Sequence, residues 1–356
     1  MNATHAHLYR YALPFREPVT VKGSKLAERE GFVLALEHRD KTCVAYAEIA
    51  PLPGLHREGL DDAERQLREI LQRPGCLRDK ALHDELFPSV RTGLEMAAIN
   101  FDAGMRNQLP RFFPGVSKAS VPLNALLFGE TETVRRWAEE HIRSGYRTFK
   151  LKVSGSDIEA SQRAIELLHR LYGTTIELRL DANRSMGLDD AVAFCRNLPK
   201  ESVAYIEEPL NEPGLIEEFH AKTGILSALD ETLWQNRDLA ARIPSACLAA
   251  YVLKPNCIGG IAKTLELAEK AGRLSLPCVF SSTFESGISL SFYALMAAGS
   301  ARRPAACGLD TFRFFRRDLL KTPFAAQNAL LDVRTLYRKA QEVDPGCLKP
   351  ISTWIL

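Results

Sequence analysis

The sequence predicts an α/β chain: a (β/α)8-type barrel, regular or modified, behind an N-terminal α+β capping domain. Two observations lead there. From about residue 121, short apolar runs alternate with amphipathic helical stretches, eight runs in roughly 190 residues. Charged residues then recur at the C-terminal tips of five consecutive runs, the rim where barrels of this kind carry their chemistry.

The cap comes first. Residues 32–37 and 42–49 read as strands, and 61–72 and 89–106 as helices. The barrel strands are then expected at 122–127, 148–153, 176–181, 204–207, 226–230, 248–254, 277–282 and 306–309. The helices between them are expected at 132–143, 157–172, 188–197, 215–221, 233–241, 260–271 and 287–298. This divides the chain into a cap (1–115), a barrel with the active site (116–310) and a C-terminal segment (311–356) packing back on the cap. An open doubly wound sheet is the alternative, but the phosphate-binding GxGxxG pattern is absent.

Composition narrows the function. The 356 residues are 46% hydrophobic and 25% charged with a formal net charge of +2, so there is no basic field for nucleic acid. No apolar run approaches the roughly 20 residues that span a bilayer, and the first residues lack the apolar core of a signal peptide. A soluble, cytoplasmic protein with no membrane partner is expected. The eight cysteines form no CxxC pair, and no GxSxG, HExxH or P-loop pattern occurs.

Strand two ends Lys150-Leu151-Lys152, strand three Asp181-Ala182-Asn183, and strand four Glu207-Glu208-Pro209. Strand five ends Asp230-Glu231, and strand six runs into Lys254-Pro255. Each string alone is an ordinary strand end, turn or helix cap; five in order at the same rim make one site. Side chains alternate along a strand, so Lys150 and Lys152 share a face, as do Asp181 and Asn183. Asp181, Glu207 and Asp230 fall on neighbouring strands. Three carboxylates so close repel unless a cation lies among them, and an all-oxygen set suits Mg²⁺, with Mn²⁺ the other candidate. Strands two and six are diametrically opposed in a ring of eight, so Lys152 and Lys254 face each other across the mouth.

These ordered strings resemble the enolase superfamily in its muconate-lactonizing branch, over nearly the whole chain. Ala47–Gly54 resembles the family's substrate-covering loop, while the second covering segment, residues 16–28, carries no diagnostic string. Within the branch the likeness is to the o-succinylbenzoate synthase family. It rests on residues 178–184, on Ser281-Ser282-Thr283-Phe284-Glu285-Ser286, and on Gly308-Leu309-Asp310-Thr311. The resemblance implies loss of water from a small succinyl-bearing hydroxycyclohexadiene carboxylate, a lyase reaction of menaquinone or phylloquinone synthesis. Lys152 would be the base, Lys254 the opposing cation and Lys150 its catalytic neighbour. Asn183 and Glu208 would stand behind the metal ligands, and Ser281, Ser282 and Gly308 would take the succinyl end. An N-succinylamino acid racemase or related epimerase would use the same metal and lysines. A non-catalytic binding barrel would have no physical reason to keep this charge density.

Overall fold

The computed structural model describes residues 3–356 apart from 74, 78, 80–82, 111, 113–119, 156 and 301–303. The expected boundary at residues 115 and 116 lies outside the described residues.

The chain opens with a long hairpin, β1 (Ala3–Val21) and β2 (Ser24–His38), followed by β3 (Val44–Ile49). With the final strand, Lys349–Ile355, they form a four-stranded antiparallel sheet in which β1 pairs with the C-terminal strand on one side and with β2 on the other. The length of β1 was not anticipated; its polar residues are interleaved with buried Ala6, Leu8, Tyr11, Leu13 and Phe15, which face the core. The covering segment 16–28 is the tip of this hairpin. Helices α1 (Leu60–Leu71) and α2 (Pro88–Met105) cover the sheet. α2 rests on β3 at backbone distance, because a Cβ on Gly93 would lie 2.9 Å from the Glu48 carbonyl oxygen and 2.2 Å from Ile49 Cγ1.

The barrel follows. After β4 (Ser120–Pro122), the sheet is parallel and seven-stranded: β5 (Asn124–Leu127), β6 (Thr148–Lys152), β7 (Glu177–Asp181), β8 (Val203–Glu207), β9 (Ser227–Leu229), β10 (Leu248–Leu253) and β11 (Cys278–Phe280). Helices α3 (Thr131–Arg143), α4 (Ile158–Tyr172), α5 (Leu188–Cys195) and α6 (Ile216–Thr223) connect the first strands. α4 shows why: Ser161, Ala164, Ile165 and Leu168 make a buried stripe at helical spacing, and the Asp157 carboxylate caps the Ala160 amide. The predicted helix at 233–241 is instead two, α7 (Glu231–Gln235) and α8 (Arg237–Arg242), because the Asn236 side chain caps the Leu239 amide and starts a new helix. α9 (Pro255–Ile258), α10 (Ile261–Arg273) and α11 (Gly287–Ser300) complete the set; α11 is buried on nearly every side.

The eighth strand is a correction. Residues 306–309 make isolated bridges rather than a ladder: Cys307 pairs with Leu123 and Gly308 with Ser281, both parallel. Four backbone bonds close the ring there, two between residue 307 and residues 122 and 124, and two between residue 308 and residues 280 and 282. Each edge is met only once, so closure takes two residues rather than a full strand. β12 (Leu330–Asp332) then pairs with β4, α12 (Val333–Lys339) follows, and β13 is the strand Lys349–Ile355.

Candidate active site

Strand register places the chemistry. Lys152, Asp181 and Glu207 are successive partners across β6, β7 and β8, so they stand in one row at the mouth, and Ala228 of β9 continues it. Asp230 lies two residues past Ala228, on the same face. On β6, Phe149 and Leu151 are buried, while Lys150 and Lys152 take the alternate positions.

The lysines close on the carboxylates. Lys150 Nζ lies 2.7 Å from Asp181 Oδ2 and 2.6 Å from Glu207 Oε1. Lys152 Nζ donates to Asp181 Oδ2 at 2.7 Å and to Asn183 Oδ1 at 2.5 Å. Lys254 Nζ, arriving from β10, pairs with Asp230 Oδ2. All three carboxylates are buried, as are the side chains of Lys150 and Lys254, each 12% exposed; Lys152 is the open one at 37%. Burial works against the charged forms of Lys150 and Lys254, but Asp181 and Glu207 outweigh it for the first, and Asp230 and Glu231 for the second, so both are held above the ordinary lysine range. Burial also raises Asp181, but the three lysines together hold it below the ordinary carboxylate range. Glu207 is pushed up to about 8 by burial and by Asp181, against the pull of Lys150.

Among the described residues, no group of three or more His, Cys, Asp or Glu side chains is arranged to hold a metal ion as it stands. The ammonium groups balance the carboxylates instead. The donor set nonetheless fits a hard divalent cation: Asp181, Glu207 and Asp230 are all-oxygen, buried and on adjacent strands, and Asp230 Oδ1 is buried with no hydrogen-bond partner among the described residues.

The surrounding shell is built from loops. Glu208 is fully buried and accepts from the Asp230 and Thr232 amides at 2.8 and 2.7 Å, from Thr232 Oγ1 at 2.8 Å, and from Arg184 Nε at 2.8 Å. It therefore ties the tip of β8 to the tip of β9. Asn183, Arg184 and Glu208 all have positive φ, of 44°, 60° and 44°. Backbone of this kind costs about 1–3 kcal/mol per residue and persists where the surroundings over-determine it, commonly at functional sites. Ser281 and Gly308 are bridge partners, and Ser282 Oγ lies 2.7 Å from Thr311 Oγ1 and 3.2 Å from the Gly308 carbonyl.

The covering loop is pinned over this mouth by residues that sequence reasoning left unassigned. Arg29 donates to the carbonyls of Ala50 and Pro51, and Asn256 Nδ2 donates to that of Ala50 at 2.7 Å. The Glu48 carboxylate accepts from Tyr11 and from the Ser286 amide and hydroxyl, joining β3 to the start of α11. His56 accepts from the Leu52 amide and meets the Asn256 carbonyl at 3.2 Å, a structural role that burial reinforces by holding its pKa down. Glu231, Arg184 and Thr232 had no role assigned from the sequence; Glu231 stands in the strand-five tip and Arg184 in the string 178–184, while Thr232 carries no signal there. Surface hollows of about 520 Å³ beside Arg170 and Arg196 and about 460 Å³ beside Arg313 and Arg316 are lined by none of the rim lysines or carboxylates.

Comparison with known proteins gives the family. A family model described as "Enolase C-terminal domain-like" matches residues 133–337, and one described as "MenC, N-terminal domain" matches residues 3–101. The chain belongs to the enolase superfamily. Within the superfamily it is 32% identical over 331 residues to an o-succinylbenzoate synthase from Vibrio cholerae, covering 90% of this chain and 92% of that protein. Two solved structures share the superfamily fold. A dipeptide epimerase from Enterococcus faecalis, complexed with Mg and a dipeptide, has a TM-score of 0.81 at 18% identity, covering 98% of this chain and 100% of that one. An N-succinyl Arg/Lys racemase from Bacillus cereus has a TM-score of 0.81 at 18% identity, covering 100% and 96%. No helix among the described residues is long and apolar enough to cross a membrane.

Proposed function

We propose that the chain is an o-succinylbenzoate synthase, a lyase that removes water from 2-succinyl-6-hydroxy-2,4-cyclohexadiene-1-carboxylate. The observation that carries the first step is the row of Lys152, Asp181 and Glu207 at one rim, with Lys254 reaching the same acidic wall from the far side of the barrel. The likeness to the Vibrio cholerae relative supports the choice of substrate.

Asp181, Glu207 and Asp230 would hold Mg²⁺, or Mn²⁺ in its place. Bound there, the cation supplies positive charge beside the substrate carboxylate, where charge builds as the proton leaves. Lys152, the most open of the three lysines at the rim, takes the proton from the carbon next to that carboxylate. Asn183 accepts a hydrogen bond from its ammonium group and so orients it. Lys254 stays charged on the opposite side and stabilises the developing negative charge. Lys150 sits between Asp181 and Glu207 and keeps the wall near neutrality. Lys152 then returns its proton to the departing hydroxyl on the same face, the C–O bond breaks, water leaves and the ring becomes aromatic. Ser281, Ser282 and Gly308 receive the succinyl end. The division into cap, barrel and returning C-terminal segment belongs to the same reading, as does a cytoplasmic place in menaquinone or phylloquinone synthesis.

The test is an ultraviolet assay for the aromatic product, with chelator and after Mg²⁺ readdition. Aromatic product that disappears with chelator and returns with Mg²⁺ is expected. Absence of product, alongside rapid deuterium exchange into both enantiomers of an N-succinylamino acid, would replace this reading with the racemase. Product formation indifferent to chelator would overturn the metal assignment.

A further inference from the structure

The turn that joins β1 to β2 is built from Lys22 and Gly23, with φ of 46° and 84°. Both central residues of such a hairpin turn need positive φ, and Asn or Gly is the usual first residue. Lysine there bears a backbone penalty that Asn or Gly would not. Its Nζ lies 3.7 Å from Glu231 Oε1, across from cap to barrel.

Glu231 is an unusual partner for a surface lysine. Its side chain is 4% exposed while that of Lys22 is 44% exposed, and its Oε2 is buried with no hydrogen-bond partner among the described residues. Its Oε1 accepts from Asn183 Nδ2 at 3.3 Å, and Asn183 Oδ1 accepts from Lys152 Nζ at 2.5 Å. An unbroken polar chain therefore runs from the cap turn through Glu231 and Asn183 to Lys152. The covering loop joins it: a Cβ on Gly54, whose φ is 81°, would stand 3.2 Å from the Val21 carbonyl oxygen and 3.3 Å from Lys22 Cβ, so loop and turn touch at a glycine.

We infer that Lys22 and Glu231 form a latch that holds the hairpin tip on the barrel rim, and that Glu231 is a positioning residue for Asn183 and, through it, for Lys152. The positioning half rests on the reading of Lys152 as the base; the latch half does not.

Hydrogen exchange of the backbone amides between residues 21 and 26, in the Mg²⁺-loaded protein without substrate, tests the latch. Lys22→Met and Glu231→Gln are each expected to speed exchange about tenfold, the scale of one charge-assisted contact to a buried carboxylate. Lys22→Arg should restore parental exchange to within about twofold, and the double variant should exchange no faster than either single one. Unchanged exchange in Lys22→Met, or additive effects in the double variant, would overturn the latch. In the product assay, Lys22→Met is expected to raise KM with kcat within about twofold, while Glu231→Gln raises KM to a similar extent and in addition lowers kcat about tenfold. An unchanged kcat in Glu231→Gln overturns the positioning role. A parent without turnover counts against the proposed reaction and with it the positioning role, while the exchange measurement still decides the latch.

Discussion

Lys150 offers the sharpest test of how this site is held together. Its ammonium touches Asp181 and Glu207 at 2.7 and 2.6 Å and, among the described residues, is the only ion-pair partner of Glu207. Above about pH 8, where Glu207 is ionised, three lysines balance three buried carboxylates, so Lys150→Met there leaves one negative charge uncompensated while preserving most of the side-chain volume. Removing one partner from a buried pair costs about 3–5 kcal/mol. At roughly 2 °C per kcal/mol for a large domain, the melting temperature in chelator on the alkaline side of the Glu207 titration should fall by about 6–10 °C. A divalent cation bound to the same carboxylates supplies the missing charge, so excess Mg²⁺ should raise the melting temperature of the variant by more than it raises that of the parent. The deficit also has a pH sign. Glu207 moves from an ordinary 4.5 to about 8 on folding. Its contribution to stability is thus fully present below 4.5 and lost as pH rises through 8. In chelator, Lys150→Met should therefore cost less on the acid side of that window, where Glu207 carries a proton, than above it. Circular-dichroism melts of both proteins, with chelator and with Mg²⁺, decide the matter. A loss below about 2 °C in chelator, or a Mg²⁺ gain no larger than the parent's, would refute the view that Lys150 supplies the charge balance of the carboxylates.

Other perturbations separate the roles further. Lys152→Ala should lower proton abstraction, read as solvent deuterium incorporation, by at least about a thousandfold. Its side chain is partly exposed, so the melting temperature should barely change; residual exchange within about tenfold of the parent would remove it as the base. Gly308→Ala puts a Cβ 2.6 Å from Ser281 Oγ, and the hydroxyl has to turn away. KM should rise about tenfold with little change in kcat, and an unaltered KM would argue against this end of the mouth as the succinyl site. Asp310 is raised above its ordinary 3.8 by burial, against the pull of Arg313 and the Tyr146 hydroxyl. Its contribution to stability is full below 3.8 and declines as pH rises through the higher folded value. Asp310→Asn should flatten that slope in a melt series, and an identical slope would contradict it. Gly93→Ala drives a Cβ into Ile49 and the Glu48 carbonyl; urea unfolding should show a loss of about 1–3 kcal/mol, and no loss would mean that α2 can shift off β3 freely.

The barrel was legible because its signals are local. Apolar runs of strand length, helical stripes such as that of α4, and tips such as Asp181-Ala182-Asn183 are written within a few residues of one another, and β6 to β10 fall within a residue or two of their expected bounds. Asn183 is also legible as a residue that tolerates positive φ, whereas Glu208, at 44°, is not. The eighth strand misled because ring closure depends on what two distant edges offer residues 307 and 308, and each edge offers a single bridge. The length of β1 was hidden by its polar residues, which the sheet accommodates once β13 and β2 pair with it.

Which residue types stand at the rim, and on which strands, follows from alternation along each strand and can be read without coordinates. How the charges pair cannot, because it depends on register between strands and on contacts across more than two hundred residues. Lys150 bridging Asp181 and Glu207 follows from strand register, and Glu48 capping Ser286 and Asn256 holding Ala50 are the distant contacts. The row of acids and lysines belongs to the local pattern of the chain; the ammonium contacts that balance it, and the cap turn that reaches it through Glu231, exist only once the sheet has closed and brought the strand ends within a few ångströms.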